Sequence, residues 1–434
     1  MRYFIDPPLS GTSRISQFRR GDYLFTVVVK LSLALAINGI CRPSAADRQV
    51  GLLGPMNYDD DVGNSLYYAG DDAPFKPRTD VTLKASGYTP TGHQAQALSV
   101  AFGVGSWRKS LQLVGDRECS LVPTVTLTPP KPLQSLPIRL EYAFGGPGSP
   151  FNPWGKGYGT LEEVPGTSLA VANIHPEEEQ HIRWDKPKAP AGFGPLPGNF
   201  EPRLARGGTY DEDWIYKRRP LPPEDFDFRH YNAAPDDQQF FPFLLGNETL
   251  FFQNLSSHGA QFQSHLPNLG PRVLLRRLTK DAAGHQLEEL RPVLDTLHID
   301  MDAMRVDLAW RAVVASQSAD GDDISHVYCV LEQRDHAKPP GEHAAAFALR
   351  LNPTVAPPDG MAAAGAKPGE AAEKAAKETA QEAALLSAFK KQMGGLPLTP
   401  PMKTALEGCT SMRAAEKLFE DELLRLAKLL KVPV

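Results

Sequence analysis

No long hydrophobic run is present. The most apolar stretch, Leu24 to Cys41, is interrupted by Lys30, Ser32 and Asn38-Gly39, and it falls short of the roughly 20 apolar residues that span a bilayer as a helix. No membrane insertion is expected. The opening Met1-Arg2-Tyr3-Phe4-Ile5-Asp6-Pro7-Pro8 has none of the apolar core of a secretory signal. Cysteine is scarce: Cys41, Cys119, Cys329 and Cys409 lie far apart, with no Cys-x-x-Cys pair. That excludes a disulfide framework or a paired-cysteine zinc site as the organising device. These absences lead us to expect a soluble, cytoplasmic protein. A basic excess is also missing, since 46 Lys and Arg stand against 51 Asp and Glu. A nucleic-acid binder needs a basic footprint, so no nucleic-acid partner is expected. Long helices are excluded over most of the chain by 40 Pro and 36 Gly among 434 residues. Pro removes a ladder donor, and Gly costs backbone entropy.

What is present is β-like. Hydrophobic residues make up 41% of the chain, enough for a sizeable core, and the length allows two or three domains. Residues 22–40 follow a period-two pattern, with Val27, Val29, Leu31, Leu33, Leu35 and Ile37 on one face; Asn38-Gly39 then reads as a tight turn. Residues 80–85 alternate too. Leu98 to Val104 and Trp107 to Val114 read as a hairpin closed by Gly105-Ser106, and Pro137 to Tyr142 as a further short strand. Strands recur at Arg272 to Leu278, Val293 to Asp300, Arg305 to Val314 and His326 to Glu332.

Between these blocks, residues 144–271 are rich in Pro, Gly, Asn and aromatics. The aromatics supply burial that disordered segments lack, so an ordered, loop-rich region is expected. The expected architecture is mainly β, with antiparallel sheets, long ordered Pro/Gly/aromatic-rich loops and a C-terminal helical extension. Its domains are a β-rich unit over 1–350, a linker over 351–369 and helices over 370–434. Within the β-rich unit, 1–143 and 272–335 form either two sheets or one continued sheet. The extension rests on Ala, Glu and Lys from Glu370 onward and on a final amphipathic stretch with Leu418, Leu423, Leu426 and Leu430 on one face.

Several chemical patterns invite inspection. Gly145-Gly146-Pro147-Gly148 and Gly155-Lys156-Gly157 lack the spacing of a phosphate loop and read as turns. His175, Glu177, Glu178, Glu179 and His181 could hold a divalent ion, yet they lack helical His-Glu-x-x-His spacing. His298, Asp300 and Asp302 alternate and could project to one side as an acid/base cluster, but with no nucleophile motif they read rather as a polar strand face running into a turn. No Gly-x-Ser-x-Gly elbow is present. Neither a cofactor nor a metal is expected. The most distinctive segment is Asp211 to Gln238. Its prolines suggest an extended, stiffened backbone pinned by Trp214, Phe226, Phe228 and Tyr231, with Arg218, Arg219 and Arg229 beside carboxylates. It reads as a loop that completes the fold or as a pre-ordered docking surface. The candidate partner-binding residues are Trp214, Arg218, Arg219, Phe226, Arg229, Asp236, Leu423 and Leu426.

A family resemblance enters at these residues. The runs 140–146, Asn152-Pro153, 155–158, Asn173-Ile174, 190–195, 208–214, 225–229, 232–238, Gly246-Asn247-Glu248 and Asn254-Leu255 carry it, with Thr26 to Lys30, Phe75 to Asp80 and Gly115-Asp116-Arg117 upstream. Together they resemble the bacterial type VI secretion adaptor, or accessory chaperone, family, long labelled a domain of unknown function. The likeness covers roughly 15–335 and includes His175, where the family usually has an acidic residue. It implies a non-enzymatic protein that binds a secreted effector and helps load it onto the valine-glycine-repeat or PAAR spike tip. Its partners would be that effector and the spike proteins, and the resemblance brings no catalytic residues. The alternatives are a metal-assisted hydrolase, built on His298, Asp300 and Asp302 or on the 175–181 cluster, and a secreted toxin component. Residues 370–431 are expected to contribute to partner binding rather than to the core.

Overall fold

The computed structural model describes residues 1–90, 93–120, 126–159, 168–177, 186–278 and 285–334, with Thr404 and Gly408 beyond them. The expected linker and, apart from Thr404 and Gly408, the expected helical extension, including Leu423 and Leu426, lie outside the described residues. In chain order the principal strands are β1 Arg2–Ile5, β2 Ser10–Arg19, β3 Asp22–Ala34, β4 Thr79–Lys84, β5 Ala97–Val104, β6 Trp107–Val114, β7 Thr249–Gln253, β8 Gln261–His265, β9 Leu269–Leu278, β10 His285–Leu290, β11 Val293–Asp300, β12 Arg305–Ser316 and β13 Ile324–Gln333.

Three large sheets result. The central one runs Gln239–Phe240, β4, β11, β12, β3, β2, with Arg42–Pro43 on the end of β3. A second runs Ile174–Pro176, β6, β5, β7, β8, Gly39–Ile40, and a third runs β1, β13, β9, β10. Strands from 1–143 and 272–335 therefore interleave: β3 pairs with β12 from Tyr23↔Ser316 to Ala34↔Arg305, and β1 pairs with β13. The continuation reading describes the central sheet. The sheets are mixed rather than antiparallel, because β4 runs parallel to β11 and β1 parallel to β13. Long excursions between the strands leave both directions available.

One continuous apolar core draws from all three sheets. Val27, Val29, Leu31 and Leu33 of β3 meet Val81 and Leu83, Leu297 and Ile299, and Leu308 and Trp310. The same cluster holds Phe102, Leu113 and Phe252 of the second sheet and Val273 and Val327 of the third. Burial of this surface, at ~25 cal/mol per Å² of apolar area, is the main force holding the sheets together. Ile37 lies past the end of β3 and is exposed. Asn38 takes the left-handed conformation expected of a turn residue, but no simple hairpin follows, because Gly39–Ile40 leaves to pair with β8. The hairpin across Gly105 forms as expected, with Val104 opposite Trp107. Pro137 to Tyr142 is not one strand: Ser135–Pro137 pairs with Ser86–Tyr88, and Leu140–Tyr142 is a 3-10 turn.

Candidate functional site

The opposite face of the central sheet is polar, and it too is buried. Cross-strand register places Asp80, Thr296, Ala309 and Lys30 in one row and Thr82, His298, Asp307 and Ser32 in the next. Side chains opposite one another in a ladder share a face, so sequence-distant groups converge. Residues 49–76 cover them. Lys30 Nζ donates to Tyr68 Oη at 2.9 Å and Asp71 Oδ2 at 3.0 Å, and Tyr68 Oη donates to Asp71 Oδ1 at 2.5 Å. Gln49 bonds the Ser32 backbone through both ends of its amide. Ser32 Oγ donates to Asp307 Oδ1 at 2.6 Å. Arg311 pairs with Asp295 and donates to the Ala73 and Asp71 carbonyls.

Electrostatics follow from this burial. Burial pushes Asp71 up, but the Lys30 ammonium and the Tyr68 hydroxyl outweigh it, leaving the carboxyl below its ordinary value. Burial, with the neighbouring Asp71 charge, holds the Tyr68 phenol well above its usual range. His298 is 1% exposed. Burial pulls its pKa down to about 4, so the ring is neutral at pH 7. Its Nδ1 bonds the Thr82 hydroxyl at 2.9 Å, Tyr68 lies edge-on to the ring, and its Nε2 has no hydrogen-bond partner among the described residues.

This face collects the residue types of a reaction centre, yet His298, Asp300 and Asp302 do not form one cluster. Asp300 accepts the Asp302 and Ala303 backbone N–H groups, each at 3.1 Å, and so caps the turn after β11. Asp302 is exposed beyond the strand end and shares Lys84 with Asp300, both at 3.4 Å. Among the described residues, no three His, Cys, Asp or Glu side chains gather as they would around a metal. In the 175–181 group, Glu178, Glu179 and His181 lie outside the described residues. His175 is buried and its Nε2 lies 2.8 Å from the Ala172 carbonyl and 3.0 Å from Arg117. A surface hollow of about 520 Å³ lies elsewhere, beside Arg2, Asp320, Asp322 and His326.

The 203–240 segment is different. Its base is locked to the central sheet through Asp80, whose carboxylate accepts from Asn232 Nδ2 at 2.9 Å, the Ala233 N–H at 2.8 Å and the Ala234 N–H at 3.2 Å, while pairing with Lys76 at 2.9 Å. Gln238 Nε2 reaches the Val81 and Phe193 carbonyls. Phe226, Phe228 and Tyr231 join Phe18 and Phe75 in one ring cluster. Above this base the backbone is not extended, as the prolines had suggested. Trp214–Arg218 is a π-helical turn, a rare geometry that recurs at functional sites.

Gly208 takes a φ of +80° at the foot of this knuckle, where an added Cβ would lie 2.8 Å from Asp225 Oδ1, so only glycine fits without strain. Asp211 accepts the Trp214 N–H at 2.8 Å, and the Trp214 indole donates to the Leu221 carbonyl at 2.7 Å. With the turn so held, Tyr210, Ile215 and Tyr216 stand 59%, 48% and 82% exposed.

The partner residues expected from sequence therefore separate. Trp214 is half-buried and holds the knuckle. Arg218 donates to the Pro222 and Phe18 carbonyls at 2.6 and 3.2 Å. Phe226 is buried in the ring cluster, Arg229 pairs with its neighbour Asp227 at 2.6 Å, and Asp236 forms a two-pronged pair with Arg206 at 2.9 and 2.6 Å. Arg219 is exposed; its backbone N–H donates to the Trp214 carbonyl at 2.9 Å and closes the turn, while its guanidinium forms no ion pair with a described residue. Tyr210, Ile215 and Tyr216 were not singled out by sequence reasoning. The signal for them was large residues set among charges: Tyr210 before the acidic run 211–213, and Ile215 and Tyr216 after Trp214, between that run and Lys217-Arg218-Arg219.

Comparison with known proteins adds one fact. Residues 20–311 match a family described as "Uncharacterized protein conserved in bacteria (DUF2169)". The chain belongs to that family. Neither the curated proteins nor the solved structures hold a match. The DUF2169 region takes in β3, β4, the 203–240 segment, β11 and most of β12. Among the described residues of the chain, no helix is long and apolar enough to cross a membrane.

Proposed function

We propose that this protein is a non-enzymatic adaptor that binds a type VI secretion effector in the cytoplasm and assists its loading onto the spike complex. The observation that carries the reading is the knuckle. Three large side chains, Tyr210, Ile215 and Tyr216, are held out to solvent by a frame that Asp211 and the Trp214 indole fix in place. Preordering such a surface lowers the entropy lost on binding, and exposed tyrosines are typical anchors of protein interfaces. The resemblance described above supplies the partner class: a secreted effector and the spike proteins with which it travels. By contrast, Lys30, Tyr68, Asp71, Ser32 and Asp307 lie beneath residues 49–76 and bond one another.

The test uses a type VI-secreting bacterium that encodes this protein. Removing the protein should abolish delivery of one effector, and the tagged protein should retain that effector or a spike protein. Tyr216→Ala should lose retention while melting at the wild-type temperature. Effector delivery that continues without the protein would defeat the proposal.

A further inference from the structure

Among the described residues, the longest sheet edge is β2. The other edge strands of the three large sheets have two to six residues, whereas β2 has ten. Which of its backbone groups are free follows from β3. The Ser32 N–H bonds Gln49, and the Ser32 carbonyl accepts from Ser44; the Leu35 N–H bonds Met304, on the β12 side. Backbone groups alternate in direction along a strand, so the even-numbered residues of β3 point toward β2. Its pairing then makes Ser10, Thr12, Arg14 and Ser16 the hydrogen-bonded partners of Lys30, Val28, Thr26 and Leu24. Gly11, Ser13, Ile15 and Gln17 therefore aim their N–H and C=O groups outward. Beyond the ladder with β3, the one backbone group of β2 that bonds a described residue is the Phe18 carbonyl, which accepts from Arg218.

An open edge is a template for another strand, and natural sheets shorten or block such edges. Here the guards are partial. A bulge between Gln17 and Arg19 interrupts the ladder before Arg19 pairs with Asp22, and Arg14 stands mid-strand. Arg14 and Arg19 are exposed and form no ion pair with a described residue. The far end abuts the knuckle, where Arg20 donates to the Lys217 carbonyl at 3.1 Å.

We propose that β2 receives an extended segment of a partner protein as an added strand, with a carboxylate side chain facing Arg14. Main-chain bonds to Gly11, Ser13, Ile15 and Gln17 would supply affinity, and the arginines would select acidic sequence. The inference rests on the reading of this protein as a partner binder and names the mode of capture.

The test pans a random linear peptide library against the full-length protein and measures the dissociation constant of the winning peptide. The winners should be β-forming and carry Asp or Glu. Ser13→Pro removes one outward donor without touching the β3 ladder, and edge positions accept proline; it should weaken the peptide about tenfold or more. Ser13→Ala, which keeps the N–H, should bind as wild type. Arg14→Glu should reverse the preference toward basic peptides. Should Ser13→Pro fail to fold, amide exchange in the wild-type chain decides: the amides of Gly11, Ser13, Ile15 and Gln17 should exchange fast in the free monomer and slow with peptide.

The proposal is overturned by an empty selection, by binding indifferent to Ser13→Pro, or by slow exchange in the free monomer, which would mean that the chain covers its own edge. It is overturned equally by a dimer that Ser13→Pro dissociates, which would make a second copy the occupant. Effector retention lost in Tyr216→Ala but kept in Ser13→Pro would remove the β2 inference and leave the adaptor reading standing. Peptide capture at β2 in a protein that retains no effector would do the reverse.

Discussion

Two regions of this protein bring many polar residues together, and they use them in opposite ways. On the covered face of the central sheet, Lys30, Asp71, Tyr68, Ser32 and Asp307 bond one another, so the charges are satisfied inward. In the 203–240 segment the same kinds of bond, Asp211 to Trp214 or Asp80 to Ala233, hold a backbone so that its apolar side chains face outward. A dense polar network is therefore no guide to a functional surface by itself. The guide is what the network leaves exposed: very little in the first region, and Tyr210, Ile215 and Tyr216 in the second.

That contrast breaks most sharply under substitution of Lys30. Lys30→Met would leave Asp71 charged and buried without its cation, at a cost of about 3–5 kcal/mol. Tyr216→Ala, on the exposed knuckle, should stay within about 0.5 kcal/mol. Denaturant melts of both variants check the ordering, and equal losses would mean that the two regions do not differ as described.

Asp80 joins the two regions, so Asp80→Asn should affect both. The amide presents donors to the Asn232, Ala233 and Ala234 donors and removes the ion-pair partner of the buried Lys76. A loss of about 3 kcal/mol is expected. Faster proteolytic cleavage near 232–234 should accompany it. A melt shift without new cleavage would show that the segment is held by its ring cluster rather than by Asp80.

Acid should act on the covered face through His298. Its folded pKa, about 4, lies below the unfolded value of ~6.5, so the unfolded chain binds the proton more readily. The neutral ring contributes stability above pH ~6.5 that is lost as pH falls toward 4, up to about 3 kcal/mol. Paired carboxylates such as Asp71 add their own loss at lower pH. Comparing wild type with His298→Gln from pH 7.5 down to 4.5 isolates the histidine: the variant should show the shallower decline. Parallel curves would mean that the ring is already protonated or exposed when folded.

Much of the covered apolar face was legible in the sequence. β11 runs from Val293 to Asp300 as expected, and β12 extends the alternating strand expected over Arg305 to Val314 only to Ser316. Alternation is a local signal, and those strands carry it. β2 carries none: Ser, Thr, Gly and Arg fill an edge that need not bury one face. β7 and β8 were absorbed into a stretch read as loop, because turn residues around them masked five-residue strands. The polar face was the hardest to foresee. Thr26, Lys30 and Ser32 alternate as a solvent-facing set would, and no local pattern announces that residues 49–76 return to cover them. The motif residues of Phe75 to Asp80 and Asn232 to Gln238 were visible, but not that Asp80 is where the two runs meet.

The smallest effect belongs to Asp236, which sequence reasoning placed among the partner contacts. Its carboxylate meets Arg206 through both oxygens at the rim of the segment, with the Asp side chain 57% exposed. Solvent screens an exposed pair, so Asp236→Ala should cost no more than about 1 kcal/mol. If Asp236 only ties the rim to Arg206, partner retention should also be unchanged, the converse of Tyr216→Ala. Measuring both variants for melting and retention separates residues that build the surface from residues that constitute it. Lost retention at unaltered stability in Asp236→Ala would move the contact from the knuckle to the Arg206 rim.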